Sequence, residues 1–186
     1  MQPLLHPASK PSAEYHEWDP RYPKVVHSLL SALSPLPQFL TVEHIGSTSV
    51  PGCGGKRIID LLALYEDGFL NVARTFLLSV GFGRQGPEFS RAWPEERPMY
   101  LGLYHWNDEP FLIYVHVVHH ASDEVRRFRT FKERLMQHPE LVKKYCACKR
   151  QIITAGATDT DDYAVRKRSF IHQALGLEHL LKKAKT

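Results

Sequence analysis

Cysteine is scarce, with only Cys53, Cys146 and Cys148 in a chain of 186 residues. Three are too few for a disulfide framework. Cys146 and Cys148, two apart in a helical context, also project to nearly opposite sides. A reducing cytoplasm is therefore the expected compartment. No apolar run approaches the roughly 20 residues a membrane-spanning helix needs. The opening MQPLLHPASKPSAEYHEWDP lacks the charged start and continuous apolar segment of a secretory leader. Neither secretion nor membrane insertion is expected. Internal repeats and low-complexity tracts are missing as well. A strong excess of one charge is lacking too. The net charge is +4, with the positive residues gathered in the second half, as in Arg126-Arg127-Phe128-Arg129 and Arg166-Lys167-Arg168. That mild excess favours an anionic ligand without choosing one.

What is present is a 43% hydrophobic chain that can bury a core, read as a single domain over residues 1–186. Residues 1–13, with Pro3, Pro7 and Pro11, read as a loose tail. A helix is expected over 21–33, with Asp19 as its cap and Pro35 and Pro37 after its end. Strands follow over 39–45 and 57–65, the second so uniformly apolar that burial on both faces is implied. A helix over 67–80 stops at Gly81, and 83–98 reads as a short strand and a long loop. Residues 99–106 and 111–119 form a hairpin around Asn107-Asp108-Glu109-Pro110. The segment 122–186 is helical in three parts: Ser122 caps the first, to about 137, Pro139 opens the second, to about 154, and 161–183 forms the third. The order specifies a mixed α/β (α+β) core with C-terminal helices.

Two features could carry chemistry. In Gly46-Ser47-Thr48-Ser49, glycine allows close backbone approach, while hydroxyls and amides can hold phosphate oxygens. Taken alone, an N-cap cluster before the Val50-Pro51-Gly52 turn explains it as well. Asp60 is harder to explain, because a carboxylate among Ile58, Ile59, Leu61 and Leu62 needs a partner. Lys56 or Arg57 could pair with it, it could reach water at the strand's edge, or it could bind Mg²⁺.

Alternation places His116 on one face with Leu112, Tyr114 and Val118, either as a core histidine or as a partner of Asp60. His119 and His120 raise a zinc site, but alternation sends His119 to the other face and no thiolate accompanies them. Arg126, Arg127, Arg129, Lys132 and Arg134 could present a phosphate-facing row, with 127 and 134 about two turns apart, but are read first as a solvated helix face. The i,i+4 pairs Tyr145–Lys149 and Tyr163–Lys167 read as helix-surface packing.

Glu43-His-Ile-Gly-Ser-Thr-Ser-Val-Pro-Gly52, with Lys56 and Ile58-Ile-Asp60, resembles the signature of the GrpB family, assigned to the nucleotidyltransferase superfamily. The likeness extends to Trp18-Asp-Pro-Arg-Tyr-Pro23, Val115-His-Val117, and the stretch from Phe131 through His138-Pro-Glu140 to Tyr145. The Tyr163, Lys167, Phe170, Ile171 pattern matches the family's closing segment. The resemblance implies a nucleotidyltransferase-like mixed β-sheet flanked by helices. It assigns Gly46 and Ser47, with Thr48 and Ser49, to a phosphate turn and Asp60 to a metal. His116 takes the strand position where a further acid is often found, as ligand or proton acceptor. His44 and Lys56 belong to the signature and join the nucleotide-binding set.

The implied reaction moves a nucleotidyl group from an NTP to an unknown acceptor with Mg²⁺. Leu62 stands where a second aspartate is usual, so a single metal, an acid such as Glu43 or Glu88, or a loss of catalysis must be entertained. A nucleotide-binding regulatory module is the alternative, and non-specific RNA binding ranks last.

Overall fold

The structure, a computed structural model, describes residues 4–9, 11–84, 93–157 and 160–176. A helix, α1 (Tyr22–Ala32), precedes strands β1 (Leu40–Ile45) and β2 (Ile58–Tyr65) and helix α2 (Leu70–Ser79). Strands β3 (Gly83–Arg84), β4 (Met99–Trp106) and β5 (Glu109–His119) follow, then helices α3 (Asp123–Gln137), α4 (Pro139–Thr154) and α5 (Thr160–Ala174). The strands form one sheet in the order β1-β2-β5-β4-β3. Only β2 and β5 pair in parallel; the other neighbours are antiparallel. This is the mixed sheet flanked by helices that the sequence led us to expect.

β2 is an interior strand between β1 and β5, and its apolar run is explained by cover on both faces. Ile59, Leu61 and Ala63 pack with Ile113, Val115 and Val117 against α1 and α2, whose Val25, Leu29, Ala73 and Leu77 are buried. Leu62 and Leu64 face the other way, with Ile45 and Val118, beneath Val125 and Phe128 of α3. A third cluster joins Val50 and Cys53 to Leu135, Val142, Tyr145 and Cys146. It seats the C-terminal helices on the segment after β1.

Local chemistry accounts for most boundaries. Asn107 and Asp108 take positive φ of 51° and 62°, giving a two-residue turn that matches strand twist, so β5 starts at Glu109. The Ser122 hydroxyl accepts from the Glu124 amide at 3.2 Å and caps α3, while Pro139 opens α4. Asp19 is not the cap of α1. That position is Arg21, and Asp19 instead accepts from its amide at 2.8 Å and from its guanidinium.

The N-terminal segment departs from the expected loose tail. Leu5 is wholly buried, its amide donates to the Val80 carbonyl at 3.1 Å, and His6 bridges to Leu103. The space it fills is one Gly102 leaves open, since a Cβ there would lie 2.9 Å from Leu5. Residues 177–183 of the expected third helix lie outside the described residues.

Candidate functional site

Parallel register sets Leu62 beside His116 and Asp60 beside Tyr114, so Asp60 and His116 share a face of adjacent strands. His116 Nε2 and Asp60 Oδ1 are 3.3 Å apart. On the ring's other side Nδ1 lies 3.2 Å from an Arg97 guanidinium nitrogen. Arg97 in turn grips Glu124 through two bonds of 2.8 and 2.5 Å. A guanidinium can only donate, so Nδ1 accepts, and Nε2 carries the hydrogen given to Asp60. Burial lowers the His116 pKa below its ordinary value and the Arg97 charge adds to this, against the opposing Asp60 bond, so the ring is neutral. Burial raises that of Asp60, but the His116 hydrogen bond and the charges of Lys167 and Lys56 outweigh it, and the carboxyl titrates below its usual range.

The Gly46–Ser49 turn comes directly onto this acid. Gly46 has φ +71°, and a Cβ there would stand 2.5 Å from Asp60 Oδ2. Only glycine lets the backbone come so close. Ser49 Oγ donates to the Gly46 carbonyl at 2.8 Å, and Thr48 Oγ1 meets His44 Nε2 at 2.9 Å. Trp18 Nε1 donates to the Thr48 carbonyl at 3.0 Å. The hydroxyls of Thr48 and Ser49 therefore build the turn. Ser47 Oγ accepts from Lys149 Nζ at 3.0 Å, which leaves its own hydrogen for a ligand oxygen. His44 braces the turn from behind and does not line the cavity. Burial, reinforced by the Lys132 charge, takes its pKa down to about 4.

The C-terminal helices supply what the sequence reading missed. Lys149 is 1% exposed, and its ammonium bonds Ser47, the Cys53 sulfur at 3.3 Å and the Gly54 carbonyl. It lies 4.2 Å from the centre of the Tyr145 ring, and among the described residues no carboxylate pairs with it. Tyr163 is buried too, with Lys56 Nζ at 4.8 Å and Lys167 Nζ at 5.3 Å from its ring centre. The i,i+4 pairs form as expected, but inside the protein rather than on its surface. Burial lowers the Lys167 pKa, as does the Lys149 charge, while Asp60 opposes them.

Asp60, Ser47, His116, Lys56 and Lys167 line one cavity of about 760 Å³. Its wall holds six lysines and arginines, including Arg57, Arg127, Lys132 and Arg168, against the carboxylates of Asp60 and Glu124. Aromatic surface from Tyr22, Trp93, Phe128 and Phe131 completes it. The arginines of the α3 row are exposed, as expected of a solvated face, and their ion pairs lie at the surface, while Lys132 is half-buried. Arg126 pairs with Asp123 at 3.0 Å, Arg129 with Glu43, and Lys132 donates to the His44 carbonyl at 2.8 Å.

The donor set does not make a two-metal centre. Glu43 is held by Arg129 and Glu124 by Arg97, and Glu88 lies outside the described residues. Asp60 alone suits a single Mg²⁺ that takes its other ligands from phosphates and water. Arg97 could be placed from strand parity, two residues ahead of Met99, which pairs with His116. Glu124 and Lys149 carry no comparable sequence signal, because only the docking of α3 and α4 brings them in.

A mixed sheet flooring a positively charged, helix-walled cleft marks an α+β protein whose candidate site lies between sheet and C-terminal helices. The sequence model of the GrpB protein family matches residues 12–176, and the chain belongs to that family. A UPF0157 protein of Pseudomonas aeruginosa is 29% identical over 164 residues, covering 86% of this chain and 63% of the relative's length. Another from Halalkalibacterium halodurans is 28% identical over 167 residues, covering 86% and 78%. The crystal structure of GrpB from Enterococcus faecalis shares the fold, with a TM-score of 0.67 over 93% of this chain and all of that one, at 24% identity. The Cid1 poly(U) polymerase with Mg 3′-dATP bound aligns with 81% of this chain and 49% of its own, at 13% identity and a TM-score of 0.45.

Proposed function

We propose that the cleft binds a nucleoside triphosphate and, with one Mg²⁺, passes its nucleotidyl group to an acceptor hydroxyl. The carrying observation is the convergence of an ionised Asp60, the Gly46–Ser47 turn and the ammonium groups of Lys56 and Lys167 on one cavity with excess positive charge. Ser47 donates its hydroxyl hydrogen to a phosphate oxygen, and the two lysines balance the remaining phosphate charge. The aromatic wall offers flat apolar surface to a base. Asp60 would hold the metal, which when bound neutralises phosphate charge and aligns the reacting oxygens. His116, with Nδ1 taken by Arg97 and Nε2–H given to Asp60, orients the carboxylate; it is a positioning residue rather than a metal ligand or a base.

A second reading keeps nucleotide binding without transfer. It is favoured by Glu124 being tied to Arg97, which leaves Asp60 as the one cavity carboxylate, among the described residues, that no arginine grips. Calorimetry with each NTP, with and without Mg²⁺, separates the two, together with pyrophosphate release over a panel of hydroxyl acceptors. Transfer requires binding that depends on metal and is largely lost in Asp60→Asn. The module requires metal-independent binding that survives this substitution. If no NTP binds under either condition, both readings fall.

A further inference from the structure

Outside the cleft, three ligand-type side chains meet at the C-terminal ends of the two parallel strands. Parallel pairing sets Tyr65 of β2 beside His119 of β5. Asp67 sits just past β2 in the turn closed by the Phe69 amide on the Glu66 carbonyl at 3.0 Å. His120 begins the turn after β5, and its amide donates to the Tyr65 carbonyl at 3.0 Å, so both chain ends are fixed to each other. Alternation alone would send neighbouring histidines to opposite faces. The strand ends at His119, however, and the turn brings the two rings to 4.7 Å between centroids. Asp67 Oδ1 lies 2.8 Å from His119 Nε2, and one donor atom from each of the three residues lies within 4.8 Å of the others. Among the described residues this is the one such trio, and none of its members lines the cleft.

We propose that Asp67, His119 and His120 form a binding site for a divalent transition metal of the zinc class, separate from the nucleotide cleft. Two imidazoles and a carboxylate suit Zn²⁺, Co²⁺ or Ni²⁺ rather than the all-oxygen preference of Mg²⁺ and Ca²⁺. Ligands about 2.0–2.2 Å from a metal stand roughly 3–3.5 Å apart, so closure asks the side chains to draw in by about an ångström. The exposed Asp67 and His120 side chains can make that move. Coordination through His119 Nε2 displaces its hydrogen to Nδ1, exchanges the 2.8 Å bond to Asp67 for shared ligation of the ion, and gives up a long 3.4 Å contact from the Ala121 amide. The remaining positions are open to water. A bound ion would clamp the β2–α2 turn to the turn that opens α3.

The test uses tag-free full-length protein, titrated with Zn²⁺, Co²⁺ and Mg²⁺ by calorimetry and, for Co²⁺, by visible absorption. One Zn²⁺ or Co²⁺ per chain is expected, with a rise in melting temperature and no matching Mg²⁺ response. The stoichiometric site should vanish in His119→Gln and in His120→Gln, and weaken in Asp67→Asn, while NTP binding is unchanged. Absent Zn²⁺ binding, or binding that persists in both histidine variants, overturns the site. Circular dichroism of each variant separates loss of metal from loss of fold. Failure of NTP binding in the wild-type protein would count against the cleft reading alone.

Discussion

His116 donates to Asp60 across the parallel strands at 3.3 Å, a bond that fixes both the orientation of the carboxylate and the tautomer of the ring. Arg97 at Nδ1 rules out a hydrogen there, so long-range ¹H–¹⁵N correlation spectra should show Nε2 protonated and Nδ1 bare. The ring should stay neutral as pH falls past 6.5. Arg97→Met removes a charge that disfavours the imidazolium and leaves Glu124 unpaired nearby, so the His116 pKa should rise. A protonated Nδ1 at pH 7, or an unmoved titration in the variant, would contradict this arrangement.

Gly46→Ala should damage fold and site together. A Cβ would press to 2.5 Å from Asp60 Oδ2 in a backbone already at φ +71°. The strain should cost about 1–3 kcal/mol in urea denaturation. Displacement of the turn from the acid should also weaken metal-dependent NTP binding. Gly52, with φ +74° but open space around it, provides a control, since alanine there carries only the backbone cost.

Acid should destabilise the protein partly through His44. Its folded pKa of about 4 lies below the ordinary 6.5, so between these values the unfolded chain takes up a proton that the folded one refuses. Stability is therefore complete above about pH 6.5, falls as pH drops towards 4, and loses about 3 kcal/mol over that window. His116 and His172, whose pKa values are also lowered, act in the same direction. Urea midpoints measured between pH 7 and pH 4 should fall less steeply in His44→Gln than in the wild-type protein. Equal slopes would remove His44 from the account.

Lys149→Met should change stability little yet weaken NTP binding by about tenfold to a hundredfold. Loss of the bonds to Ser47 and Gly54 is offset by the removal of a buried cation that no described carboxylate balances. Ser47 loses the donor that orients it. Thermal melting and calorimetry on the same preparations check both halves, and a Lys149→Met protein that binds NTP as the wild type does would place the turn's rigidity elsewhere.

The amino-acid sequence alone specified the elements and the register-bound part of the site. The apolar run of β2 required cover on both faces, and alternation in β5 put His116 among Leu112, Tyr114 and Val118. Glycine at position 46 signalled a backbone that must approach something closely, because φ and steric preferences act over a few residues. Tertiary packing decided the remainder. Tyr145–Lys149 and Tyr163–Lys167 have the same spacing whether they face water or a cavity. Only the docking of α4 and α5 buried Tyr145, Lys149 and Tyr163 and put Tyr145, Tyr163 and Lys167 into the wall of a cleft. Asp67, His119 and His120 likewise became neighbours through the pairing of β2 with β5, two strands more than 40 residues apart in the chain. A helix or strand period records which side a residue takes relative to its own axis; what waits on that side is set by contacts that no local pattern encodes.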